Sequence, residues 1–178
     1  KGTQSNFIVE KYKLHQLSTG ELLRKEIKEN TKLGVQIESI INSGNLVSDK
    51  TVSDLIEKYI SDQTFKNRLI FDGYPRNLIQ VKNLDNLLKK YDQKIDFVLK
   101  LSVSLKVIIK RISERKNLEQ RADDNEKIAI KRFEMYEKNI EPVIEFYKQT
   151  NLLTVINGEK PITEINEEIS GLIEGFKG

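Results

Sequence analysis

A chain of 178 residues and 20.7 kDa is sized for one compact domain with small inserted lobes, and 38% hydrophobic with 32% charged residues suits a globular protein better than a disordered one. Zero cysteines exclude disulfides, thiolate zinc sites and a cysteine nucleophile, and point to the cytoplasm; no apolar run approaches the roughly 18 residues of a membrane span, and the first residues form no signal-peptide stretch. Thirty basic residues against 27 acidic leave a net charge of +3, too even a balance to indicate nucleic acid.

In chain order, hydrophobic periodicity predicts helices over Thr3–Tyr12, Gly20–Asn30, Lys32–Ser43, Asp49–Ser61, Leu78–Tyr91, Ser104–Arg115, Asn125–Gln149 and Ile162–Phe176. Short apolar runs predict strands at His15–Ser18, Arg68–Asp72, Asp96–Leu101 and Leu152–Ile156. Strands alternating with crossover helices read as α/β with a buried parallel sheet. Three helical patterns between the first two strands are too many for one crossover and suggest an inserted helical lobe. Residues 116–124 form a polar break between long helices, either a plain connection or a small lid.

Only seven of the 30 basic residues are arginines: Arg24, Arg68, Arg76, Arg111, Arg115, Arg121 and Arg132. Lysine suffices for a solvated surface, whereas a bidentate grip on phosphate needs the guanidinium fork. Lys1-Gly2-Thr3-Gln4 ahead of a helix matches the tail of a Gly-rich phosphate loop, although four terminal residues can equally be a plain helix start. Ser18 and Glu21 form a capping box, while Thr19 and Arg24 beside them can face an anion. Phe71-Asp72-Gly73-Tyr74-Pro75-Arg76, with Gln80 beyond, closes the best strand. It is either a simple turn or the place where an open parallel sheet binds ligands. Arg111 and Arg115 share a helix face at i,i+4 and repel unless an anion or an acid lies between them. His15 reads as a packing residue, and nothing resembles a Ser-His-Asp or paired-carboxylate arrangement.

Taken together, these motifs resemble the nucleoside monophosphate kinases, most closely the short-lid adenylate kinases. The resemblance runs in order through Lys1–Gln4, Leu17–Arg24, Gly44–Asp49, Phe71–Arg76, Arg111–Arg115, Arg121–Glu126 and Lys131–Tyr136. Six of the seven arginines fall on the family's phosphate-contacting positions, Arg68 being left over. The resemblance implies a three-layer P-loop NTPase-like core with a parallel sheet (residues 1–18, 62–115 and 125–178), an inserted monophosphate-binding helical lobe (about 19–61) and a short lid (about 116–124). It further implies Mg²⁺-dependent, reversible transfer from ATP to AMP, giving two ADP, by a monomer with no zinc, no nucleic acid and no membrane partner.

By that resemblance Lys1, Gly2 and Thr3 hold the ATP phosphates, with Thr3 near magnesium and Asp72 holding magnesium-bound water. Arg111 and Arg115 cover ATP, and Lys160 contacts its adenine through the backbone. Thr19, Arg24, Asn45, Leu46, Val47, Gly73, Tyr74, Pro75, Arg76 and Gln80 line the AMP site, with Arg121 and Arg132 bridging toward the AMP phosphate. Lys1, Arg76, Arg111, Arg115, Arg121 and Arg132 form the catalytic set. Gln80 is the adenine-selecting choice, while Asn77 resembles the UMP/CMP kinases and keeps that substrate class as an alternative. The family also places a strand and the Gly-rich half of the loop before the lysine, so the 178 residues are expected to be a truncated form of a longer enzyme with weak or absent activity, the alternative being a nucleotide-binding module without activity.

Overall fold

The computed structural model describes residues 2–119 and 126–176. Helix α1 (Gly2–Tyr12) leads into strand β1 (His15–Ser18), followed by α2 (Thr19–Lys28), α3 (Lys32–Asn42) and α4 (Asp49–Ile60). A 3-10 turn (Gln63–Phe65) precedes β2 (Leu69–Asp72), α5 (Leu78–Lys90), β3 (Val98–Ser102) and α6 (Leu105–Glu119). The chain then runs through α7 (Glu126–Gln149), β4 (Leu153–Asn157) and α8 (Ile162–Phe176). No helix among the described residues is long and apolar enough to cross a membrane.

Strand pairing is parallel, as continuous apolar runs joined by helices require, but it is divided into two ladders. β1 pairs with β2 from His15↔Leu69 to Ser18↔Asp72, and β3 with β4 from Val98↔Leu153 to Ser102↔Asn157. Apolar packing spans both ladders: Ile70 of β2, Leu99 and Leu101 of β3 and Ile156 of β4 pack with Ile8 of α1 and Ile165, Ile169 and Ile173 of α8. The i, i+4, i+8 spacing of those α8 isoleucines puts one stripe of the helix on the sheet.

A second core, containing Leu17, Ile37, Ile41, Val52, Leu55, Ile56, Ile60 and Leu84, fastens α3, α4 and α5 to β1. Thr31 and Ser48 cap α3 and α4 by accepting from the Gly34 and Thr51 amides, which satisfies donors the first turn would otherwise leave bare. α2 crosses α3 so closely that a Cβ on Gly34 would lie 2.0 Å from the Glu26 carbonyl oxygen. His15 stacks on Phe65 at 4.1 Å and on Tyr59 at 5.8 Å, the packing role expected of it. Arg68, outside the motif set, donates to the Lys13 carbonyl through Nε at 3.0 Å and through Nη2, tying the starts of β1 and β2.

Two local expectations need correction. Ser18 occupies the N-cap of α2 but makes no side-chain cap bond, so the Ser18–Glu21 box is not formed. The helix expected to end at Arg115 continues as α6 to Glu119. Lys116, Leu118 and Glu119 are good helix formers, and polarity alone does not end a helix. Residues 120–125, with the rest of the expected lid, lie outside the described residues.

Candidate active site

The register Ser18↔Asp72 brings the β1–α2 and β2–α5 turns to one edge, at the carboxyl ends of the strands. Gly73 occupies the left-handed region at φ 76° and the Tyr74–Pro75 peptide is cis. The Gly73 carbonyl accepts from Arg76 Nε at 2.7 Å and from Thr19 Oγ1 at 3.4 Å. Asp72 Oδ2 accepts from Gln16 Nε2 at 3.0 Å. Arg24 folds back over Gly20, where a Cβ would sit 3.3 Å from its Nη1. Thr19, Arg24, Asp72, Gly73 and Arg76 are thus assembled at one corner.

Beyond the corner, Asn77 caps α5, its Oδ1 accepting from Gln80 N at 2.8 Å. The Gln80 side chain is buried, at 4% exposure. Its Oε1 accepts from Arg76 N at 2.7 Å and its Nε2 donates to Asp49 Oδ1 at 2.7 Å. Asp49 also accepts from Asn77 Nδ2, at 3.1 and 3.2 Å. Tyr74 closes this cluster, donating to the Gln80 carbonyl at 3.4 Å. Burial, reinforced by the Asp49 charge, pushes its phenol up to about 12.

A recess of about 110 Å³ opens between the corner and α7, lined by Leu46, Arg76, Asn77, Arg132, Met135 and Tyr136. Burial lowers the proton affinity of the Arg76 guanidinium; the nearby Arg132 lowers it further, and Asp72 works the other way. Two guanidiniums within electrostatic reach, at a cavity that both line, make a place for a multiply charged anion. The loop bearing Asn45 and Leu46 is fastened to α7 by Lys131, which donates to Asn45 Oδ1 at 2.7 Å and to the Ser43 carbonyl at 3.1 Å.

A second group lies at the ends of β3 and β4. Glu159 Oε1 accepts from Ser104 N at 2.8 Å, and its carboxyl is held below the usual range by hydrogen bonding to the Ser104 side chain, then to its backbone N–H and, more weakly, by the Arg111 charge. Lys160 beside it pairs with Glu168 at 2.9 Å. Arg111 of α6 and the Glu159–Lys160 turn therefore belong to one neighbourhood.

Other expected residues fall differently. Val47 and Tyr74 are buried in the second core. Gly2 and Thr3 are exposed on the first turn of α1. Lys1, Arg121 and the Arg115 side chain lie outside the described residues. Asp49, Lys131, Met135 and Tyr136 stand at the site although no sequence pattern assigns them a role. Their signal is three-dimensional: Asp49 meets partners 28 and 31 residues away.

Among the described residues no group of three or more His, Asp or Glu could hold a metal. A single carboxylate at a strand end, as Asp72 is, is the kind of donor that suits a hard cation such as Mg²⁺, which keeps most of its waters and arrives with phosphate oxygens.

Parallel strands joined by helices, with a Gly-Tyr-Pro-Arg turn at a strand edge and an arginine-lined recess beside it, are consistent with a P-loop NTPase-like α/β fold. The adenylate kinase family profile matches residues 1–152. The chain is 37% identical to the adenylate kinase of Pelagibacter ubique over 98% of its own length and 94% of the relative's. It is 41% identical to that of Prochlorococcus marinus (95% and 90%) and 40% identical to that of Azobacteroides pseudotrichonymphae (99% and 92%). The chain belongs to the adenylate kinase family.

Proposed function

We propose that this chain moves a phosphoryl group reversibly between ATP and AMP, giving two ADP, with Mg²⁺. The observation that carries the reading is the pair Arg76 and Arg132 lining one recess, with Thr19 and Arg24 at the same corner. Family membership supports the substrate class.

The chemistry suits these residues. A phosphate oxygen of AMP is already a nucleophile, so no general base is needed. The work is to align two charged groups in line and to neutralise the charge spread over the transferred phosphoryl. Arg76, held through its Nε by the Gly73 carbonyl, directs its remaining donors toward the recess. Arg132 supplies the facing charge. Arg24 and Thr19 hold the monophosphate, while Asn45, Leu46, Gly73, Pro75 and Gln80 shape its site. Arg111, Arg115 and the Lys160 backbone serve ATP, and Lys1, Gly2 and Thr3 its phosphates; Arg121 bridges toward AMP. Thr3 and Asp72 would hold Mg²⁺, Asp72 through water; when bound, the ion neutralises phosphate charge.

The reading divides the chain into a core (1–18, 62–115, 125–178), a monophosphate lobe (about 19–61) and a short lid, working as a cytoplasmic monomer. Asn77, the residue that resembled the UMP/CMP kinases, has a local task as cap of α5 and donor to Asp49, which leaves the adenine reading in front. A coupled assay with ATP, AMP and Mg²⁺ tests it. AMP-dependent ADP formation above the no-AMP blank is expected, and ADP at blank level with a folded protein overturns it.

A further inference from the structure

We infer that Asp49 is the specificity-determining positioning residue of the monophosphate site, because it fixes which way round the Gln80 amide is presented to the base. This rests on the reading that Gln80 meets the base of AMP.

The argument is one of donor and acceptor identity. The Gln80 amide lies between Asp49 Oδ1, 2.7 Å from Nε2, and the Arg76 backbone N–H, 2.7 Å from Oε1. A carboxylate only accepts and a backbone N–H only donates, so one orientation of the amide satisfies both. The reverse sets Oε1 against a carboxylate and the NH₂ against an N–H, two repulsive contacts at a side chain that is itself only 4% exposed, where little water reaches to offset them. Asp49 is itself held by Asn77 Nδ2 at 3.1 and 3.2 Å. The Asn77 amide cannot reverse either, since its Oδ1 caps α5 on the Gln80 N–H at 2.8 Å. Orientation thus passes from helix cap to carboxylate to glutamine.

Each amide atom then keeps one position: a hydrogen on Nε2 and a lone pair on Oε1. Such a fixed pair matches a base edge that offers an amino hydrogen beside a ring-nitrogen acceptor, as adenine does. It opposes hypoxanthine, which has the same size but places a carbonyl and a ring N–H there. Discrimination against the inverted edge comes from the repulsion Asp49 builds in, more than from added attraction to adenine.

The test measures binding, so it does not depend on turnover. Equilibrium titrations of AMP, IMP and CMP are run on the wild-type protein, Asp49→Asn and Asp49→Ala, with thermal melts reporting folding. Asn can donate to a reversed Gln80, and Ala removes the carboxylate's repulsion while that of the Arg76 N–H stays, so each variant is expected to lower the AMP:IMP affinity ratio by about 10-fold, the size of one hydrogen-bond preference. The AMP:CMP ratio is expected to hold within about twofold, because cytosine offers the same donor and acceptor order as adenine. General loosening of the site would move both ratios. Ser48 still caps α4 in both variants, so at least one is expected to fold. A wild-type protein that prefers AMP and folded variants with an unchanged AMP:IMP ratio overturn the role of Asp49 alone; a wild-type protein indifferent to the base overturns this role together with base reading by Gln80.

Discussion

Lys131 of α7 donates to Asn45 Oδ1 at 2.7 Å and to the Ser43 carbonyl at 3.1 Å, so the loop closing α3 is held by the helix that carries Arg132. The contact is exposed and worth little to stability, but it sets where Asn45 and Leu46 stand over the recess. Lys131→Met is expected to leave the melting temperature within about 2 °C. It should raise the KM for AMP roughly fivefold, about 1 kcal/mol and the net worth of an ordinary exposed hydrogen bond, with KM for ATP little changed. Steady-state kinetics varying each nucleotide separately checks this; equal changes in both constants would remove the assignment.

The same junction depends on Gly44. Its φ is 76°, and an added Cβ would lie 3.0 Å from Ile128 Cγ2, so a side chain there meets both backbone strain and a neighbour. Gly44→Ala is expected to cost about 1–2 kcal/mol for the left-handed backbone and more for the contact. Gly44→Ala/Ile128→Ala relieves the contact but not the backbone. Urea denaturation should therefore show partial recovery in the double variant relative to the sum of the single ones.

Strand directions and the crossover pattern were legible because Leu69-Ile70-Phe71 and Val98-Leu99 are uninterrupted apolar runs followed by amphipathic helices. The corner was legible too, since Asp72 to Arg76 is contiguous. The Asp49–Asn77–Gln80 cluster was not: its members come from two helices, and no local pattern says that a carboxylate on one meets an amide on the other. Ser18 shows the converse, a local capping signal that goes unused where β1 runs directly into α2. The division of the four strands into two ladders is likewise a matter of pairing, which periodicity does not encode.

Arg76 separates charge from geometry. Its Nε is bound to the Gly73 carbonyl, so the guanidinium reaches the recess as a fork already fixed at its root. Lysine keeps the charge but loses both the anchor and the paired donors. Arg76→Lys is expected to lower kcat/KM for AMP by roughly 100-fold, comparable to removing one preorganised donor from a transition-state site, while its melting curve stays close to that of the parent. Near-normal turnover in the folded variant would remove Arg76 from the catalytic set.

Two buried tyrosines set the alkaline limit. Tyr74 and Tyr147 are 6% and 4% exposed, and burial pushes both phenols up to about 12 from the ordinary 10.0, helped by Asp49 at Tyr74 and by Asp85 at Tyr147. Above pH 10 the unfolded chain releases these protons while the folded chain keeps them, so the unfolded state gains relative stability. The contribution is therefore fully present below pH 10 and is lost as pH rises toward 12. Urea midpoints for the parent should change little from these two groups between pH 7 and 9 and fall between pH 10 and 12. Tyr147→Phe, which removes one titrating group, should fall less steeply over the same window, its deficit narrowing as pH rises. Parallel midpoint curves for the two proteins from pH 9 to 12 would show that burial does not hold the Tyr147 proton.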